Sequence, residues 1–183
     1  SSVLETSLAN INAVLHTPAM LMNAGWIEDT GGDFLFYHQA ITPAVGRVIA
    51  EIDAERLAVA ASLGVPGAST LKFFHRAGLT TDAAAASGDI SRACRESAPN
   101  ATIKSPPSLD HRYMHEDVGY GLVPFAALGD LAGVATPSMD SLVQLCSVLM
   151  GIDYVEEGLT LAKMGLAGIA PEDLARFTGE GGC

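Results

Sequence analysis

Two Thr-Pro pairs, Thr42-Pro43 and Thr136-Pro137, each precede an apolar stripe at helical spacing, and each stripe stops at a glycine. Threonine at an N-cap satisfies an otherwise orphaned amide, and proline at the first helical position lacks only a donor that has no partner there. Glycine just past the end accepts the left-handed cap. Val45, Val48, Ile49, Ile52, Val59 and Leu63 form the first stripe, up to Gly64, and Leu142, Val143, Leu145, Cys146 and Leu149 the second, up to Gly151. The same punctuation predicts shorter helices at residues 69–77 closed by Gly78, at 83–86 capped by Thr81-Asp82, and from Val123-Pro124 toward Gly133. Two more are expected at 160–164 before Gly165 and at 171–178. Residues 98–109 read as a loop, because Pro106-Pro107 continues neither periodic element. No run alternates as a half-buried strand requires and no tandem repeat is present. The expected fold is therefore all-α, an irregular multi-helix bundle in one domain over residues 1–183, with 179–183 (GEGGC) a flexible tail.

The first helical stretch, SLANINAVLHTPAM, carries the first chemistry. Leu4, Leu8, Ile11 and Leu15 share one stripe at 100° per residue, and Glu5, Asn12 and His16 a polar one roughly 90° away. His16 on so apolar a helix is either a buried structural hydrogen-bonder or an acid/base. Pro18 removes an amide and presses on the carbonyl of Val14, which predicts a kink beside His16 and a polar bay for a substrate. The chain opens on Ser1 directly into helical periodicity, and a domain upstream of it is expected.

Charge and cysteines narrow the function. A net charge of -11 leaves no basic surface for a nucleic-acid partner. Cys94, Cys146 and Cys183 are odd in number and lack metal-type spacing, which suits reduced thiols in a cytoplasmic protein. No apolar run reaches a membrane span and no secretory leader is recognisable. Neither GxGxxG nor GxxxxGK[ST] occurs, so a dinucleotide phosphate finds no cradle in this chain. GxSxG and HExxH are missing too.

The segment LDHRYMHEDVGYGLVP, residues 109–124, is dense in chemistry and breaks at Gly119-Tyr120-Gly121, the profile of a short helix ending in a tight turn at a cleft. Arg112 suits bidentate capture of a carboxylate, and Asp117 suits the orientation of a histidine. Arg112 and Glu116, four apart, equally read as a surface helix pair. His111 and His115 share a metal-compatible spacing, but no second cluster completes a shell and no metal is expected. His38 and His75 read as ordinary histidines, and Arg56 as an arginine paired with a neighbouring acid at the domain edge.

The runs NINAVLH, ITPAVG, DAERLA, RYMHEDVGYGLVP and VATPSMD, in this order, resemble the C-terminal helical domain of the octopine/nopaline (opine) dehydrogenase family. The resemblance is weakest between about residues 66 and 105. It implies a fold like the C-terminal domain of 6-phosphogluconate dehydrogenase-like enzymes, with an N-terminal Rossmann domain upstream that binds NAD or NADP. It implies that the helical domain holds an amino acid and a 2-oxo acid such as pyruvate, which are condensed and reduced to an N-(carboxyalkyl) amino acid. His16 matches the family's catalytic histidine, Asp117 the acid paired with it, and Arg112 the arginine holding a substrate carboxylate. Asn12, one turn before His16, is assigned to positioning substrate or histidine, beside an equal reading as a buried helix-bridging amide. Arg112 and Asp117, five apart, stand about 140° from each other on a continuous helix, so both face one cleft only if the helix is distorted or the substrate spans its end. Trp26, Phe36, Tyr37 and Tyr120 are candidates to line the substrate pockets. The rival reading is a non-catalytic helical packing or dimerisation domain, in which an apolar face pairs two copies as a homodimer.

Overall fold

The computed structural model describes residues 3–174. Its helices are α1 (Val3–Leu8), α2 (Asn12–Met22), α3 (Ala24–Thr30), α4 (Pro43–Ser62), α5 (Thr70–Arg76) and α6 (Asp82–Ser87). They continue with α7 (Ile90–Arg95), α8 (Arg112–Asp117), α9 (Val123–Ala132), α10 (Pro137–Met150) and α11 (Tyr154–Glu157). Two π-helical segments, Phe36–Ala40 and Val118–Leu122, interrupt this order. Among the described residues β pairing is limited to an isolated antiparallel bridge between Leu35 and Lys104, so the all-α reading stands.

α2 is the axis of the bundle. Every residue from Ala13 to Met20 is buried, as a helix enclosed by others requires, and α4, α8, α10 and the second π segment pack around it. The continuous first helix expected from the stripe is instead broken at residues 9–11. There the Asn10 side-chain oxygen accepts from the Asn12 amide at 3.0 Å, an alternative to the helical bond that asparagine readily offers. Leu4, Leu8, Ile11 and Leu15 are buried all the same. Pro18 makes no bay: α2 continues to Met22, with Thr17 and Pro18 both packed inside. Asn23 closes the helix by donating its side-chain amide to the carbonyls of Ala19 and Ala40, at 2.8 and 3.2 Å.

Most of the caps fall where the punctuation puts them. Thr42, Ser69 and Thr81 accept from the amides of Val45, Lys72 and Ala84, and Gly64, Gly78, Gly133 and Gly151 take positive φ. At α10 the starting residue is as expected but the cap is not. Glu55, buried on α4, accepts from the amides of Ser138 and Met139 at 2.8 and 2.9 Å, bringing a carboxylate to the positive end of α10. Arg56 is paired as predicted but is a core residue rather than an edge one, at 0% exposure. It donates to Asp53 Oδ1 from Nε and Nη2, at 3.1 and 2.7 Å, and to the carbonyls of Leu8 and Ala68. Asp53 Oδ2 takes the Thr70 amide at 2.8 Å, so this ion pair ties α1, α4 and the start of α5 together. Residues 160–164 form turns rather than the expected helix, while the helix expected at 171–178 is present through Leu174. Its remainder and the 179–183 tail lie outside the described residues.

Candidate active site

α2 crosses α8 so that His16 faces Asp117 across 101 positions of sequence. Nδ1 lies 2.8 Å from Asp117 Oδ2, with both residues buried at 5% and 8% exposure. A carboxylate only accepts, so Nδ1 carries the hydrogen and the tautomer is fixed with Nε2 as the second functional atom. Nε2 is 3.0 Å from Tyr37 Oη. Tyr113 stacks flat on the imidazole with ring centroids 3.7 Å apart, and Phe36 meets it edge-on at 5.9 Å. The result is a chain Asp117–His16–Tyr37 inside an aromatic enclosure.

Both π segments serve this site. The wider turn at Phe36–Ala40 buries two consecutive aromatic residues, Phe36 and Tyr37, on the side of His16. The second segment follows α8 without a break and leads into α9, so the tight turn expected at Gly119-Tyr120-Gly121 is a widened helical turn. Glycine permits it: a Cβ on Gly121 would stand 2.4 Å from the Ala13 Cβ on α2. That approach holds the end of α8, and Asp117 with it, against α2.

The other expected site residues lie at different depths. Arg112 is on the outer side of α8, its side chain 66% exposed and paired through Nη2 with Glu116 Oε2 at 3.0 Å, the geometry of the surface pair. α8 is regular from Arg112 to Asp117, which is why the two residues face apart. Asn12 is exposed on α2, which removes the buried helix-bridging reading. The polar bay expected beside His16 is filled: the histidine is buried, with Tyr113 stacked on its ring. Of the aromatic candidates, Phe36 and Tyr37 reach His16, while Trp26 stacks on Phe34 at 3.9 Å and Tyr120 is exposed.

His111 and His115 do not act as a pair. His111 caps α8 through Nδ1, which accepts the Tyr113 amide at 3.3 Å, and its ring meets Tyr113 edge-on at 4.6 Å. Burial, helped by the charges of Arg112 and His16, holds its pKa below the ordinary histidine value. His115 bonds Asp110 at 2.8 Å and the Tyr154 hydroxyl at 3.1 Å. Tyr37 has its phenol pushed well up, chiefly by burial and secondarily by Tyr113. Sequence reasoning missed the stacking of Tyr113 and the direct bond from Tyr37. The available signal was a tyrosine beside a histidine in FLFYHQ and another inside the dense segment, in HRYMHED.

Residues 1–150 match the family described as NAD/NADP octopine/nopaline dehydrogenase, alpha-helical domain. An opine dehydrogenase of Arthrobacter sp. (strain 1C) is 37% identical over 168 residues, which is 92% of this chain and 45% of that protein. A structure of octopine dehydrogenase in complex with NADH and agmatine superposes with a TM-score of 0.71 at 20% identity, over 98% of this chain and 50% of the other. A second octopine dehydrogenase structure, with NADH and pyruvate, gives 0.67 at 21% identity over 99% and 49%. This chain thus spans about half the length of the relatives it matches, and it belongs to the octopine/nopaline dehydrogenase family as its alpha-helical domain.

Proposed function

We propose that this chain is the substrate-binding and catalytic domain of an opine-type dehydrogenase. The whole enzyme joins the amine of an amino acid to a 2-oxo acid such as pyruvate and reduces the resulting imine. The observation that carries the reading is the buried His16–Asp117 pair, assembled from segments 101 positions apart in a chain of this family. Bound NADH or NADPH supplies the hydride. No glycine-rich phosphate cradle occurs in this sequence, so its residues fit the substrate side of the reaction. We assign the cofactor mainly to an N-terminal Rossmann domain in the part of the protein this chain does not span.

Within that reaction His16 is the acid/base. It accepts a proton as the amine attacks the 2-oxo carbon, and returns one to the carbinolamine oxygen as water leaves. Asp117 fixes the tautomer and stabilises the imidazolium that forms in between. The aromatic enclosure keeps water from the imine, which water would otherwise hydrolyse. With α8 regular, Arg112 receives the carboxylate of a substrate that spans the end of that helix, after leaving Glu116, a cheap exchange, since exposed pairs are worth at most about 1 kcal/mol. Exposed Asn12 meets the substrate one turn before His16. The unpaired thiols Cys94 and Cys146 support a reducing, cytoplasmic setting.

The rival packing or dimerisation role draws on exposed Leu145, Val148 and Leu149 of α10. It gives no reason to bury a histidine–aspartate pair. Oxidation of the reduced cofactor by the intact protein, followed with a panel of amino acids and 2-oxo acids, decides the matter. Oxidation that requires both partners, and a product mass equal to their condensation less water plus two hydrogens, is the expected result. Oxidation with a 2-oxo acid alone, or with no pair in the panel, overturns it.

A further inference from the structure

With His16 taken as the acid/base, as proposed above, a difficulty appears in its surroundings. Both ring nitrogens are already committed, Nδ1 to Asp117 and Nε2 to Tyr37, while Tyr113 covers a face of the ring. The imidazole has no atom left to present to a substrate. The Tyr37 hydroxyl does: its partner among the described residues is His16, and an oxygen with one hydrogen and two lone pairs retains bonding capacity beyond that contact. We propose that Tyr37 is the catalytic residue that touches the substrate and relays protons between it and His16.

The geometry makes the hydroxyl report the charge of the histidine. Asp117 keeps a hydrogen on Nδ1 in both charge states. When His16 is neutral, Nε2 is a lone pair and Tyr37 donates to it, leaving lone pairs on Oη directed away from the ring. When His16 is charged, Nε2–H donates to Oη and the hydroxyl hydrogen turns outward. The first state accepts a proton from the attacking amine, and the second donates one to the carbinolamine oxygen.

The step balances when the relay runs twice. In the first pass a proton of the substrate ammonium passes to Oη while Oη–H passes to Nε2, leaving imidazolium beside the Asp117 carboxylate; the freed amine forms the carbon–nitrogen bond as the carbonyl π bond opens to an alkoxide, and the proton returns through Oη to that oxygen. In the second pass a proton leaves the carbinolamine nitrogen by the same path, and its return through Oη to the carbinolamine hydroxyl breaks the carbon–oxygen bond, so that water departs, the carbon–nitrogen double bond forms as an iminium and His16 is neutral again. No net charge rests on the phenol, as a buried tyrosine with a raised pKa requires.

The test uses the intact enzyme with Tyr37→Phe, His16→Ala, and 3-fluorotyrosine placed at position 37. Under conditions where chemistry limits turnover, wild type is expected to give a curved proton inventory in H2O/D2O mixtures, as two protons in flight require. Tyr37→Phe is expected to lower kcat by about 10²–10⁴ with little change in KM. The fluorinated residue keeps the shape and the hydrogen bond but makes a more acidic phenol, so kcat and the solvent isotope effect should both change. A purely positional tyrosine leaves them unmoved, which overturns the relay. Tyr37→Phe with kcat within threefold of wild type also overturns it. Loss of activity in His16→Ala alone then leaves the acid/base reading intact, whereas activity in both variants removes that reading as well.

Discussion

Asp117→Asn is the perturbation whose size follows most directly from the site. The carboxamide matches the carboxylate in shape and retains an acceptor, so the Nδ1 hydrogen bond at 2.8 Å survives while the charge is lost. Two unit charges about 4 Å apart attract by about 4 kcal/mol at an effective dielectric near 20, the figure suited to partly screened sites in proteins. At about 1.36 kcal/mol per decade, removing that attraction from a transition state carrying imidazolium lowers kcat about 10³-fold. If the amide group instead turns toward Nδ1, the ring proton moves to Nε2 and the base is lost, which lowers kcat further. Steady-state kinetics of the intact enzyme at saturating cofactor give kcat, and thermal unfolding by circular dichroism gives the control. A kcat within tenfold of wild type, with unchanged melting, would refute the claim that an imidazolium beside Asp117 lies on the reaction path.

Other consequences reach beyond that pair. His111 has a folded pKa below its unfolded value, so the folded state resists its protonation. Its contribution to stability is complete above the ordinary histidine range and is lost as pH falls through the depressed folded value. His111→Asn keeps a capping side chain on α8 but does not titrate, so urea melts across mildly acidic pH should show a shallower loss of stability than wild type; an identical slope counts against the assignment. Gly121→Ala forces a Cβ to within 2.4 Å of Ala13, and is expected to destabilise the fold by about 1–3 kcal/mol and to lower kcat through the displaced Asp117, whereas an unchanged melt would contradict the close approach. Burial pushes the thiols of Cys94 and Cys146 up to about 12, so peptide mapping after alkylation at mildly alkaline pH should find both unmodified until denaturant is added. Arg56→Met leaves Asp53 buried without its cation and should cost about 3–5 kcal/mol in urea unfolding; a loss below 1 kcal/mol would show the ion pair to be dispensable.

Helices marked by local punctuation and periodicity were legible in the sequence, while contacts set by packing were not. α4 and α10 follow from Thr-Pro starts, apolar stripes and terminal glycines, because each of those signals is local. The buried carboxylate of Glu55 as the cap of α10 could not be read, since it arrives from 83 residues away. α3, α7 and α11 are too short to show an apolar stripe of their own, and such helices draw most of their stability from the surface they pack on. The break after Leu8 illustrates the same limit: Leu4 and Leu15 keep the burial that one stripe predicts although two helices supply it. At the site, the pairing of His16 with Asp117 was implied by the resemblance, and the two side chains stand at hydrogen-bonding distance. Arg112 was placed by resemblance, and the regular turn of α8 carries it outward to Glu116. The π geometry at Phe36–Ala40 has no sequence signature, and the bond from Tyr37 to His16 depends on it.

The account rests on His16 as the acid/base, and the kinetics of His16→Ala in the intact enzyme test it most directly. With cofactor, amino acid and 2-oxo acid all saturating, kcat is expected to fall by about 10²–10⁴ while cofactor affinity and the helical melt are retained. A variant that folds, binds cofactor and turns over within tenfold of wild type would contradict it.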